Sequence, residues 1–212
     1  MDLAGPVGRL EALLAVPDAP APAAALLCHP HPEFGGSMHT RPLHHAARAL
    51  AEAGLAVLRF NFRGVGRSEG AFDGGAGERD DARAALRWLE STLPGVPVVL
   101  GGFSFGADVG LRLAADLAGS APRLAALVGL SPPLGLGDFG FLAATRAPVL
   151  LVAGERDPLA PAAELARLQV LLGARLEIAR LHDAGHLLLE RLPELRAVVL
   201  AFISRALHLE PA

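Results

Sequence analysis

Short, uninterrupted apolar runs alternate along this chain with longer stretches of helical periodicity, and turn-forming residues separate the two. Ala24–Cys28, residues 55–60, residues 96–100, Leu124–Leu130 and residues 148–153 are runs of the first kind. Their length and lack of polar alternation predict strands covered on both faces. Residues 8–16 alternate only partly, which predicts an edge strand before the turn-rich 17–22, and residues 175–181 read as a last strand. Helical spacing falls on residues 43–53, stopped by Gly54, and on residues 80–93, stopped by Pro94 and Gly95. Residues 107–115, Ala162–Leu172 and residues 192–207 follow the same period. Strands alternating with helices in this way predict an α/β fold with a mostly parallel, twisted sheet and helices on both faces. Without an internal repeat or a low-complexity linker, residues 1–212 read as a single domain.

Composition narrows the picture. Hydrophobic residues make up 52% of the 212, but no apolar run reaches the roughly 18 residues of a membrane span. A net charge of −3 without a basic stripe speaks against a nucleic-acid partner. Cys28 is the single cysteine, so no intrachain disulfide can form. Met1 to Pro6 lacks the basic region of a secretory signal. These features lead us to expect a soluble cytoplasmic protein with no membrane partner; they leave its oligomeric state open.

The chemistry concentrates at Gly102-Phe103-Ser104-Phe105-Gly106. An apolar strand precedes it and a helical stretch follows, so Ser104 falls on a strand-to-helix turn. A turn that tight crowds the residues two before and two after the serine, which accounts for glycine at both places. It also holds the serine in a strained backbone conformation and aims helix amides toward its hydroxyl. A neutral serine hydroxyl is a weak nucleophile and needs a base, and the base needs an orienting acid. Asp157 and His186 each follow a predicted strand, where ligands bind in open sheets of this kind. Gly185 beside His186 is expected to let its loop carry the imidazole over the serine. His182 is the competing histidine and Asp183 the competing acid.

In that order, Gly102-Phe103-Ser104-Phe105-Gly106, Gly154-Glu155-Arg156-Asp157 and Gly185-His186 resemble the α/β-hydrolase superfamily. HPHPEFGGSMHT, RFNFRGVGRSEG and GFSFGA are similar to small, lidless bacterial hydrolases of the dienelactone-hydrolase-like or esterase type, over nearly the whole chain. The resemblance implies a three-layer α/β-hydrolase fold with little or no lid. It also implies a serine hydrolase acting on esters or thioesters through Ser104, His186 and Asp157. Dienelactone hydrolases proper use cysteine where this chain has Ser104, which favours the serine esterase. Members of the group generally carry a further amino-terminal strand, and Met1 to Pro6 leave little room for one.

An acyl intermediate needs backbone N–H donors for its oxyanion. Phe105, next after the nucleophile, supplies one. In His29-Pro30-His31-Pro32 neither proline has an N–H, so His31 is the second donor, with Glu33 as the fallback. Phe34, Phe105, Leu134, Phe139, Phe141 and Leu159 are expected to form the pocket for a small-molecule acyl substrate. No cofactor is implied. His29 and His31, with His39, His44 and His45 behind them, admit a rival reading as metal ligands, but no carboxylate follows at a metallohydrolase spacing. Arg63-Gly64-Val65-Gly66-Arg67-Ser68 does not open a helix and is not a nucleotide loop. A hydrolase-fold protein that binds a ligand without turning it over is the remaining alternative.

Overall fold

The computed structural model describes residues 1–119 and 123–209. It contains an eight-stranded sheet. The strands are β1 (Asp2–Gly5), β2 (Gly8–Ala15), β3 (Ala24–Cys28), β4 (Ala56–Phe60), β5 (Val98–Phe103), β6 (Leu124–Leu130), β7 (Val149–Gly154) and β8 (Leu176–Leu181). They lie in the order β1-β2-β4-β3-β5-β6-β7-β8. β1 and β2 run antiparallel to their neighbours, and the remaining pairs are parallel. Two sequence expectations are corrected here. The amino-terminal strand is present as β1, paired through Leu3 and Leu10, and β2 is therefore an inner strand. Four residues joined to β2 by a tight turn are too short to show a period, which hid β1 from the pattern.

The helices are α1 (Arg41–Glu52), α2 (Ala76–Thr92), α3 (Phe105–Asp116), α4 (Ala162–Leu172) and α5 (Leu192–Ala206). Side chains alternate across a strand, and the two faces of the sheet divide the core accordingly. Leu26, Leu58, Leu100 and Leu151 pack with α2, α3 and α4, whereas Leu27, Val57, Val99 and Val152 pack with α1 and α5. Both faces are thus covered, as the unbroken apolar runs require. The helix α2 begins four residues before the sequence suggests, because the Glu78 carboxylate accepts the Gly75 N–H at 2.7 Å and that of Asp73 at 2.9 Å. β5 continues through Gly101 and Gly102, which pair with Val128 and Gly129. A side chain at Gly101 would strike the Val128 carbonyl of β6, and one at Gly110 would strike the backbone of Gly101, so Gly110 seats α3 directly on β5. Among the described residues no helix is long and apolar enough to cross a membrane.

Candidate active site

Ser104 occupies the one residue between β5 and α3, with φ 54° and ψ −120°. A side chain there avoids this region, at a cost of about 1–3 kcal/mol. The turn is pinned from both sides: the Ser104 N–H donates to the Leu130 carbonyl at 2.8 Å, and the Ser104 carbonyl accepts from Ala107 at 2.8 Å. Any side chain at Gly102 or Gly106 would overlap the Cys28 carbonyl, so the end of β3 lies directly against the turn.

His186 comes from the loop after β8. Its Nε2 lies 2.8 Å from Ser104 Oγ, and its Nδ1 lies 2.9 and 3.0 Å from the two carboxylate oxygens of Asp157. The arrangement selects the neutral tautomer in which Nδ1–H donates to Asp157 and Nε2 accepts the serine proton. The Asp157 carboxylate is fully buried and takes a further N–H, that of Leu159, at 2.9 Å. Phe103 stacks along the imidazole at 5.8 Å between centroids. The rivals are elsewhere: the His182 side chain is 70% exposed, with Glu155 and Asp183 beside its nitrogens. The role expected of Gly185 is corrected, since a side chain there would meet almost nothing. The left-handed turns fall instead on Asp183 and Leu188, and Gly154 provides the close approach, because a side chain on it would overlap the Ala184 carbonyl.

The loop after β3 runs past the serine turn. Among the described residues, the backbone N–H groups of Phe105 and His31 have no protein acceptor, so both are free to donate to a ligand. The Glu33 N–H instead turns back to His31 Nδ1 at 3.3 Å. Gly36 folds against the Pro30 and His31 carbonyls, where no side chain could fit. His29 is buried and structural. Its Nε2 accepts the Phe62 N–H at 3.0 Å and its Nδ1 donates to the Pro30 carbonyl at 2.6 Å. Burial pushes its pKa down to about 4, so the ring is neutral. With both nitrogens engaged, His29 has no lone pair to offer a metal. Burial, and then the charge of Asp81, raises the Cys28 thiol well above the usual range and leaves it unreactive.

A cavity of about 650 Å³ opens above Ser104 and His186. Of the expected pocket residues, Phe34, Phe105, Phe139 and Leu159 line it. Leu134 and Phe141 do not. Leu134 is turned into the core by the short 3-10 turn Leu134–Leu136, and Leu136 faces the cavity in its place. Phe141 packs against the core under the Arg112 guanidinium, 4.5 Å from its ring. Phe72 and Leu187 also line the cavity and were missed. Phe72 belongs to the glycine-rich loop after β4, where an aromatic flanked by Asp73 and a run of glycines, outside any expected strand or helix, was the available signal. That loop is braced by buried Arg63, whose Nε and Nη2 reach the Asp81 carboxylate at 3.0 and 2.8 Å, and by Glu78.

The comparisons with known proteins agree with the fold. A family model described as alpha/beta hydrolase fold matches residues 26–142. The structure of an α/β serine hydrolase homologue from Coxiella burnetii is 34% identical with a TM-score of 0.86, and the match covers 95% of each chain. A Xanthomonas campestris protein described as an α/β serine hydrolase without lid is 36% identical with a TM-score of 0.87, over 100% of this chain and 95% of that one. An uncharacterized protein of Rickettsia prowazekii is 38% identical over 162 residues, which are 74% of this chain and 66% of that protein. One from Mycobacterium tuberculosis is 34% identical over 137 residues, 55% of this chain and 47% of the relative. The chain thus matches about two thirds of the length of the first of these relatives and just under half of the second. With the serine turn, the eight-stranded sheet and the family match in agreement, the chain belongs to the α/β-hydrolase family.

Proposed function

We infer that the protein is a serine hydrolase that cleaves small acyl esters or thioesters through an acyl-enzyme on Ser104. The observation that carries this reading is the unbroken line from Ser104 Oγ through His186 to the buried Asp157 carboxylate, at 2.8 and 2.9 Å. His186 takes the serine proton as Oγ attacks the carbonyl carbon, and Asp157 holds the resulting imidazolium in place. The oxyanion receives the Phe105 N–H and that of His31, which need no reorganisation because the turn at Ser104 and the Pro30-His31-Pro32 segment fix them beforehand. The imidazolium then gives its proton to the departing alcohol or thiol, and the acyl group stays on Oγ. Water, deprotonated by the same His186, releases the acid and restores the serine.

A fluorophosphonate applied to the native protein tests the reading. Phosphonylation should fall on Ser104 alone, and p-nitrophenyl acetate hydrolysis should decline in step with labelling. Folded protein that neither labels nor turns over esters would instead be a ligand-binding member of the family.

A further inference from the structure

Four aromatic rings stand side by side along one wall of the cavity. The His31 ring is 4.7 Å from that of Phe34, 4.7 Å from that of Phe72 and 5.1 Å from that of Phe105, centroid to centroid, and Phe72 lies 5.8 Å from Phe105. All four line the cavity, and the row starts at the residue next to the nucleophile. The other cavity rings are engaged separately, Phe103 with His186 and Phe139 with Phe141.

Core packing accounts for the inner end of this wall, Phe105, but not for its outer part. Phe34 is 86% exposed, and its principal neighbour is His31. It is nonetheless held in a defined place by the 3-10 turn Pro32–Phe34, closed by Gly35 in the left-handed conformation. The His31 ring is oriented by the Glu33 N–H on its Nδ1. Phe72 sits on the loop braced by Arg63 and Glu78, and buried Phe62 supports Phe105 edge-on at 5.9 Å. Rings fixed in position, with faces or edges bare, are preorganised to receive another ring.

We propose that the wall of His31, Phe34, Phe72 and Phe105 is an aryl-stacking subsite, so that the preferred esters carry a planar aromatic ring in their acyl or alcohol half. The proposal rests on the serine-hydrolase reading and adds a substrate class to it. Ring-on-ring contacts contribute beyond the area they bury, by roughly 2- to 12-fold in an equilibrium or rate ratio. A saturated ring of the same size buries at least as much apolar surface, so a pocket that is merely apolar would not prefer the aryl compound.

The test compares kcat/KM, by proton release, for ethyl 3-phenylpropionate against ethyl 3-cyclohexylpropionate, and for 2-phenylethyl acetate against 2-cyclohexylethyl acetate. Within each pair the reacting carbonyl and the leaving group are alike in reactivity. The phenyl compound should be favoured by about 3- to 10-fold in at least one pair. The pair that shows it tells which half of the ester lies on the wall. Phe34→Leu, a change at an exposed position, and Phe72→Leu should each bring that ratio close to one. Parity or cyclohexyl preference in both pairs overturns the proposal. So does a preference that survives both substitutions, or no turnover of these four esters by protein that labels at Ser104. Protein that neither labels at Ser104 nor hydrolyses p-nitrophenyl acetate would instead overturn the hydrolase reading beneath it.

Discussion

Ser104 Oγ reaches to within 2.8 Å of His186 Nε2 from a backbone at φ 54°, a conformation that costs stability and that the hydrogen bonds to Leu130 and Ala107 hold in place. Exposure of the proposed nucleophile and local strain are therefore two readings of one turn. Ser104→Ala should reduce ester hydrolysis by several orders of magnitude with the fold intact. Ser104→Gly should be as inactive yet more stable by about 1 kcal/mol, the relief of strain less the extra freedom of glycine in the unfolded chain. Urea unfolding of the two variants beside the native protein checks this. A glycine variant less stable than the alanine variant would show that the turn is not strained.

Asp157 meets His186 with both carboxylate oxygens in a fully buried position, whereas Asp183 lies at the surface beside Arg156 and His182. Asp157→Asn preserves the shape but offers an N–H where the imidazole must donate, which favours the wrong tautomer. The expected loss in kcat is on the order of 10⁴. Asp183→Asn should change kcat less than about threefold, because exposed ion pairs contribute little. Steady-state kinetics on p-nitrophenyl acetate separates the two; equal losses would contradict the assignment of Asp157.

The Arg63–Asp81 pair ties the loop that carries Phe72 to α2, with side chains 7% and 0% exposed. Removing one partner strands the other charge in the core, so Arg63→Ala should destabilise by about 3–5 kcal/mol. Asp81→Ala added to it should recover part of that loss. A double variant less stable than the Arg63→Ala single would contradict this account, with denaturation midpoints as the readout.

His29 ties stability to pH. Its pKa falls from the usual histidine value to about 4 in the folded protein because the buried ring cannot be charged cheaply. Between about pH 6.5 and 4 the unfolded chain therefore binds a proton that the folded chain does not, and stability is lost as the pH falls through that window. At pH 5 the loss from this residue is about 2 kcal/mol relative to neutral pH. His44 and His45 shift in the same direction, mainly through burial, so the native slope has several sources. His29→Asn should flatten it by His29's share. Unfolding at pH 7.5 and pH 5 measures both slopes, and an unchanged slope would show that His29 titrates normally.

Most of the architecture was legible because it rests on local pattern. The all-apolar runs at β3, β6 and β7 admit only strands covered on both faces, and Gly102 and Gly106 flank a serine whose turn excludes side chains. What the sequence hid depends on distant contacts or on a single residue of phase. Four residues at β1 carry no period of their own. Leu134 and Leu136 are equally apolar, and a short 3-10 turn decides which of them meets the cavity. Phe72 reaches the site because Glu78 and Asp81, in the following helix, hold its loop.

On the proposed reading, the cavity wall also sets the length of acyl chain that the site can desolvate. Phe34 is 86% exposed and Leu136 75% exposed, although both line the cavity, so its outer part is open to water. A methylene taken out of water contributes about 0.8 kcal/mol, roughly fourfold in kcat/KM. A deep tunnel would collect that factor with every added carbon. On the proposed reading the first few methylenes would meet Phe105, Phe139 and Leu159, and later ones would reach the exposed rim, where most of the gain disappears. The p-nitrophenyl esters from acetate to hexanoate should therefore be hydrolysed best and the dodecanoate poorly. Measurements of kcat/KM across the series, each below its micelle concentration, check this. A rate that climbs steadily to twelve carbons would mean that the rim closes over the chain and that the site is not open.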